Sequence, residues 1–264
     1  MVNQTEPQKT ALEAVLLRDQ LVVGAGIAVA VALVWAWLLP MSRDMYGSMD
    51  GAAAWMMAGT WDLRYGVLMF GMWAAMMLGM MLPSAAPAIL LYGRVVRSGA
   101  APEKPVLRSY SFAAGYLLAW AAFSLAATVF QWRLSASGLL SPMMETDSGL
   151  LAGSILLVAG VYQWTPLKKT CLAGCRSPAG FISQHWRPGA AGALRMGASH
   201  GLYCIGCCWA LMLLLFFGGV MSLTWIAALT IAVLLEKLMP FGDWVGRICG
   251  LVLIAAGMWV LRGV

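Results

Sequence analysis

One apolar segment of the chain carries four side chains that commonly bind soft metals. It contains His200, Cys204, Cys207 and Cys208. An α-helix turns about 100° per residue, so His200, Cys204 and Cys207 fall within an arc of about 60°, with Cys208 beside it. Imidazole and thiolate are ligands of Cu(I) and Zn(II). The spacing therefore predicts a metal site on one helix face, at the mouth of a membrane span.

Two more thiols precede this segment in a basic stretch. Cys171 and Cys175 lie four positions apart, close to Lys168, Lys169 and Arg176. Nearby cations favour the thiolate, which is the form that binds metal. A reducing cytosol also keeps such thiols free of disulfides. We therefore expect Cys171 and Cys175 to join the metal site. Cys249 is alone in an apolar segment and is predicted to serve packing.

Methionine gives a second pattern, with 19 residues in the chain. Met45 and Met49 lie after the first apolar segment, in a predicted outer loop. In the next segment a stripe within an arc of about 80° is formed by Met69, Met72, Met76 and Met80. Thioethers are neutral soft ligands that suit Cu(I). The stripe indicates either a path for Cu(I) or flexible core packing.

Composition places all these residues in a membrane protein. The chain is 61% hydrophobic and 11% charged, whereas a soluble domain carries about 25% charged residues. Segments of about 20 apolar residues predict an all-α, polytopic transmembrane helix bundle of about seven spans. We expect residues 1–20 to form a cytoplasmic tail and residues 21–264 a single transmembrane domain. The predicted spans lie near 21–40, 65–92, 109–132, 149–166, 198–219, 222–239 and 244–262.

The chain has a net charge of +6 because Lys and Arg are in excess. In a membrane protein this excess reflects the orientation of the chain in the bilayer, and it does not indicate nucleic-acid binding. Two of the loops are basic, and they contain Arg94, Arg97, Lys104, Arg108, Lys168, Lys169, Arg176, Arg187 and Arg195. Cytoplasmic loops are enriched in Lys and Arg. This predicts a cytoplasmic N-terminus, with the C-terminus outside. Both groups of thiols then lie toward the cytoplasmic face.

Glu236 and Lys237 are ionisable residues in the sixth predicted span. Such residues are functional candidates because they are costly to bury in lipid. Glu236 is expected to neutralise a bound cation or to pair with Arg195 or His200. The alternative is a pair of side chains that extend to the interface.

Four stretches resemble an uncharacterised bacterial family of predicted metal-binding integral membrane proteins, domain of unknown function 2182. They are Trp73–Met77 through Ser84, Tyr162–Lys168 with Cys171 and Cys175, Gly197–Gly201 through Met212, and Glu236–Lys237. The resemblance covers about 65 to 240. It implies an integral protein of a bacterial inner membrane that binds a metal, and it implies no particular reaction.

These patterns favour a membrane protein that handles Cu(I), by permeation or by delivery to a partner metalloenzyme. Zinc is the alternative metal, because four-coordinate His and Cys sites also suit Zn(II). The chain contains no phosphate-binding loop, dinucleotide fingerprint or Ser/His/Asp set that would predict an enzyme. Two other functions fit the sequence: a non-catalytic subunit of a larger membrane complex, and a membrane thiol–disulfide oxidoreductase.

Overall fold

The computed structural model describes residues 6–45, 61–98, 104–141 and 144–263. These residues form an all-α bundle, as the composition predicts. The helices are α1 (Glu6–Met45), α2 (Leu63–Ser98), α3 (Pro105–Ala136), α4 (Gly149–Tyr162), α5 (Pro166–Arg176), α6 (Pro178–Gln184), α7 (Gly189–Leu213), α8 (Leu215–Gly218), α9 (Leu223–Leu238) and α10 (Gly242–Arg262). Most of the predicted N-terminal tail is thus part of α1.

Five of these helices are long and apolar enough to cross a membrane, and the pair α4 and α5 adds a sixth if it counts as one bent span. The sequence predicts about seven. The difference lies in α9, which has 16 residues. It is about 24 Å long, short of a hydrocarbon core of about 30 Å. Several long apolar helices in one bundle are consistent with a multi-pass membrane protein.

Contacts at the two ends of the bundle show that the helices alternate in direction. Arg97 near the end of α2 pairs with Asp19 in the first half of α1. At the other end, the Ser42 hydroxyl of α1 donates to the carbonyl of Met221, 2.8 Å away, just before α9. The amide of Thr146, before α4, donates to the carbonyl of Phe216 at the same end. Both basic loops therefore lie at the Asp19 end.

The chain bends by 64° between α4 and α5, and local sequence explains the bend. Pro166 has no amide hydrogen and occupies the first turn of α5, where helices tolerate proline. The Thr165 hydroxyl accepts from the amide of Lys168 and caps this turn. The bend directs α5, with its two cysteines, against α7.

The most extensive helix pairing joins α3 and α7, and two glycines allow it. A Cβ at Gly115 would clash with the backbone carbonyl of Leu194, and a Cβ at Gly197 would clash with that of Phe112. The two backbones therefore approach each other directly. This contact fixes the height and rotation of α7, and with them its cysteine face.

Candidate metal centre

Four thiols from two helices meet inside the bundle. Cys204, Cys207 and Cys208 of α7 are at most 2% exposed. The Sγ of Cys207 lies 3.9 Å from the Sγ of Cys175 on α5. We refer to Cys175, Cys204, Cys207 and Cys208 as the thiol cluster. All six cysteines of the chain are free, including Cys249, which is partly buried on α10.

The helix geometry of α7 orients the three sulfurs. The thiols of Cys207 and Cys208 both donate to the carbonyl oxygen of Cys204, at 3.0 Å and 2.9 Å. On a helix, a side chain can donate to the backbone carbonyl three or four positions earlier in the chain. The sequence predicted this site at the mouth of a membrane span. α7 begins at Gly189, about four turns before Cys204, so the thiols lie near the middle of the helix.

Cys171 lies at the edge of the cluster. Its Sγ packs against α7, where a Cβ at Gly206 would come within 2.6 Å of it. The hydroxyl of Tyr162 donates to the carbonyl of Gly206. Glycine at this position therefore brings the α4–α5 bend and α7 together. Cys171 and Cys175 are both partly exposed, so α5 connects the buried sulfurs to the surface.

A thioether of α2 completes the group of sulfurs. The Sδ of Met81 lies 4.0 Å from the Sγ of Cys208. The predicted stripe on α2 ends next to this residue. Its four side chains are fully buried: Met69, Met72, Met76 and Met80. We refer to the stripe together with Met81 as the methionine column, which extends about 18 Å along α2. The side chain of Met45 and all of Met49 lie outside the described residues.

Met81 was not among the site residues predicted from the stripe, because it lies beside the arc of Met69, Met72, Met76 and Met80. A search for sulfur on both flanks of the stripe would have included it.

Cys204 has two polar neighbours from other helices. The Tyr116 hydroxyl of α3 lies 3.0 Å from its Sγ and also 3.1 Å from the carbonyl of Met81. The Lys237 ammonium of α9 donates to the Cys204 Sγ at 2.8 Å and to the Ser84 hydroxyl at 3.2 Å. Tyr116 was not predicted as a site residue. Lys237 was identified with Glu236 as a functional candidate, because ionisable residues are rare in apolar helices, but it was not assigned to the metal site.

His200 lies one turn before Cys204 and is 3% exposed. Its ring is surrounded by those of Phe112, Tyr116 and Phe181, with centroids 5.9, 6.0 and 5.0 Å away. Its Nδ1 atom is buried and has no hydrogen-bond partner among the described residues. A buried polar atom normally has a partner. The Nδ1 atom of His200 is therefore available to a ligand, one helical turn from Cys204.

Glu236 is not brought to the thiols. Its carboxylate pairs with the Lys168 ammonium at 2.7 Å, with both side chains at most 3% exposed. Lys168 also donates to the Gln163 side chain. The expected pairing of Glu236 with Arg195 or His200 is therefore replaced by one with Lys168, because the bend places α5 against the end of α9. Lys237 consequently supplies the cation that contacts the thiols.

A cavity of about 430 Å³ opens at the same end of the bundle, between α5 and the start of α10. Its wall includes Gln163 and Lys168, and its rim includes Lys169, Arg176 and Arg247. Arg176 bonds to Asp243 across this opening, at 2.6 Å. The face of α5 that lines the cavity adjoins the face that carries its two cysteines.

The thiol cluster is not already a closed coordination shell. Among the described residues, no three His, Cys, Asp or Glu side chains are arranged as a metal site. The arrangement holds thiols, a thioether and an imidazole close together and buried. These are the ligands that soft cations such as Cu(I) prefer.

Comparison with known proteins is consistent with this chemistry. A family model described as PpoB2, copper chaperone, matches residues 70–260. The match contains the methionine stripe from Met72 onward and every residue of the thiol cluster. No curated protein and no solved structure matches the chain. Because the match covers more than half of its length, the chain belongs to the PpoB2 family of copper chaperones.

Proposed function

We propose that this protein holds Cu(I) at the thiol cluster on its way to a partner metalloenzyme. The observation that carries the proposal is the 3.9 Å separation between the Sγ atoms of Cys175 and Cys207. A disulfide would require about 2.05 Å. Two metal–thiolate bonds of about 2.3 Å span up to about 4.6 Å. One ion can therefore bond to both sulfurs at this separation, with a bent S–metal–S angle.

The surrounding ligands favour Cu(I) over harder ions. Met81 offers a neutral thioether beside Cys208, and His200 has a free ring nitrogen one turn away. The buried carboxylate of Glu236 is engaged by Lys168 at 2.7 Å. Soft sulfur and imidazole ligands without a carboxylate suit Cu(I), and thiolates with imidazole also suit Zn(II). The family's description favours copper.

The methionine column supplies a route to the cluster. Its thioethers follow one another along α2 from Met69 to Met80, and Met81 ends the column beside Cys208. Thioethers are neutral, so they can bind Cu(I) along this route without a charged ligand being buried beside the ion. Met45 and Met49 would then collect the ion at the outer face. At the opposite end, the partly exposed Cys171 and Cys175 would release it toward the bacterial cytoplasm, where the positive-inside pattern places the basic loops.

Metal titration tests this proposal. Protein purified in mild detergent under anaerobic, reducing conditions is titrated with Cu(I) against a coloured competing chelator. We expect wild type to bind about one Cu(I) per chain. The double variant Cys175→Ser/Cys207→Ser should lose this binding, because a hydroxyl is a poor ligand for a soft ion. The matched control, Cys249→Ser, removes a partly buried thiol outside the cluster and should bind as wild type does.

Equal Cu(I) binding by wild type and the double variant would refute the assignment of the cluster. Two other results would favour the alternative functions. Purification with a stable partner and no metal would favour a structural subunit of a membrane complex. Labelling of Cys175 and Cys207 that appears only after reduction would favour a thiol–disulfide oxidoreductase.

A further inference from the structure

We propose that the cavity between α5 and the start of α10 binds the phosphate headgroup of an anionic phospholipid. The cavity has a volume of about 430 Å³ and opens at the end of the bundle where the basic loops lie. None of the residues that line it belongs to the thiol cluster or to the methionine column. The proposal therefore goes beyond copper handling and does not depend on it.

The charges around the cavity do not cancel. Four cationic side chains line it: Lys168, Lys169, Arg176 and Arg247. Asp243 pairs with Arg176 at 2.6 Å, and the buried Glu236 pairs with Lys168 at 2.7 Å. The three ion pairs of the described residues include neither Lys169 nor Arg247. Two positive charges therefore remain without a carboxylate partner, which predicts an anionic ligand.

The two remaining cations come from the two helices that bound the cavity. Lys169 is an exposed residue of α5, whereas Arg247 is a partly buried residue of α10. The guanidinium of Arg247 lies 5.4 Å from the centroid of the Trp244 ring. The start of α10 also lines the cavity, and the N-terminus of a helix carries partial positive charge. A phosphate group in the cavity would therefore meet positive charge from both helices, and arginine and lysine both bind phosphate.

Exposed aromatic side chains beside the cavity favour a lipid as the source of the phosphate. Trp164 follows the lining residue Gln163, and Trp244 contacts Arg247; both tryptophans are exposed, as is Phe241 before α10. Tryptophan is enriched where a membrane protein passes through the headgroup layer. Basic pockets between membrane helices at this level bind anionic lipid headgroups. An acidic protein segment would instead approach from the water, above this aromatic layer.

Native mass spectrometry of the protein in mild detergent tests the proposal. Delipidated wild type is mixed with phosphatidylglycerol, or with phosphatidylcholine, whose headgroup carries no net charge. We expect phosphatidylglycerol to bind at least about tenfold more tightly than phosphatidylcholine, because two unpaired cations face its phosphate. Equal affinity for the two lipids would overturn the proposal.

Two variants test whether the lipid binds in the cavity. Lys169→Gln/Arg247→Gln removes the two unpaired charges, and Ala173→Leu fills part of the cavity without changing any charge. Both should weaken phosphatidylglycerol binding at least about tenfold. The control is Arg133→Gln/Arg262→Gln, which removes two exposed cations at the opposite end of the bundle, where Arg133 also lies over a tryptophan ring. This control should bind as wild type does.

An equal loss of binding in the control and in the double variant would overturn the proposal, because net charge alone would then explain it. Unchanged binding in Ala173→Leu would likewise show that the lipid does not enter the cavity. The thermal unfolding midpoint without lipid shows that each variant is folded.

Two competitors distinguish a lipid from other anions. Phosphatidylglycerol should stay bound in excess inorganic phosphate, because its acyl chains add apolar contacts with the membrane-facing helices. Displacement of the lipid by inorganic phosphate would overturn the lipid assignment in favour of a free anion. A poly-glutamate peptide that binds wild type more tightly than phosphatidylglycerol would overturn it in favour of an acidic protein segment.

Discussion

Cys208 has a neighbour that sets it apart from the other thiols of the cluster. The Met81 Sδ, 4.0 Å from its Sγ, belongs to α2, whereas the other sulfurs belong to α5 and α7. A thioether is uncharged, so it can share a cation with a thiolate without adding to the buried negative charge. In the proposed route, Met81 is the residue at which the ion passes from the methionine column to the thiol cluster.

Substitution of Met81 by Leu tests this exchange point. The side chains have similar volume, and a swap of this kind in a core costs less than about 1.5 kcal/mol. We expect Met81→Leu to fold and to weaken Cu(I) affinity about tenfold, the lower range for loss of a supporting contact at a metal site. Competition with a chelator measures the change. Met72→Leu, about two and a half turns from Met81 on the same helix, is the control, and an equal loss in both variants would contradict a special role for Met81.

At the scale of the helices, the site depends on two close approaches to α7. The first joins α7 to α3 through Gly115 and Gly197, and the second joins α7 to α5 through Gly206. At the first approach two backbones touch, and at the second the backbone of α7 touches the sulfur of Cys171. A side chain larger than hydrogen at these glycines would prevent either contact. Small residues at helix contacts allow this in membrane proteins, where packing rather than burial from water drives association.

Substitution of Gly197 by Ala should separate α3 from α7. The new Cβ would overlap the carbonyl oxygen of Phe112, so the helices must move apart or the chain must lose the contact. We expect a fall of the thermal unfolding midpoint in detergent and weaker Cu(I) binding, because α7 carries three of the thiols. Overpacking of this kind costs typically about 1–3 kcal/mol.

The matched control is Gly71→Ala in α2. A Cβ there would meet nothing within 4 Å, and alanine favours the helix by up to about 1 kcal/mol over glycine. The unfolding midpoint of this variant should stay the same or rise. If Gly197→Ala were as stable as Gly71→Ala, the α3–α7 contact would not be what holds α7 in place.

At the scale of the whole molecule, the alternation of helix direction determines which ends share a membrane face. Asp19 and Arg97 lie at the end that also holds the basic loops, and Met221 lies at the other. α4 and α10 run antiparallel, since a Cβ at Gly160 would meet the Gly250 carbonyl at 2.8 Å and one at Gly153 would meet the Gly257 carbonyl at 3.2 Å. The end of α10 therefore lies at the Met221 end, opposite the basic loops.

Reporter fusions test this topology. A reporter active only outside the cytoplasm should be active when fused after Val264 and inactive when inserted between residues 98 and 104. The reason is that Lys- and Arg-rich loops stay in the cytoplasm. Equal activity at both positions would contradict this topology, because it would place the C-terminus on the same side of the membrane as the basic loop.

Much of the fold was accessible from the sequence because it follows from composition and periodicity. Long apolar segments can satisfy their backbone hydrogen bonds in lipid only as helices or closed barrels, and runs of about 20 residues match the helix length that a bilayer needs. The same local rules placed His200, Cys204 and Cys207 on one face of α7. They also placed Met69, Met72, Met76 and Met80 on one face of α2.

Only the tertiary structure decided which of these faces meet. The partners of the cluster come from positions far apart in the chain: Met81 from α2, Tyr116 from α3 and Lys237 from α9. Their contacts with Cys204 and Cys208 depend on helix rotation and height, which glycine contacts and the bend at Thr165 set. Adjacent residues of a helix point about 100° apart. For that reason Glu236 pairs with Lys168 whereas Lys237 contacts Cys204. Periodicity alone could not predict which of these two residues faces the thiols.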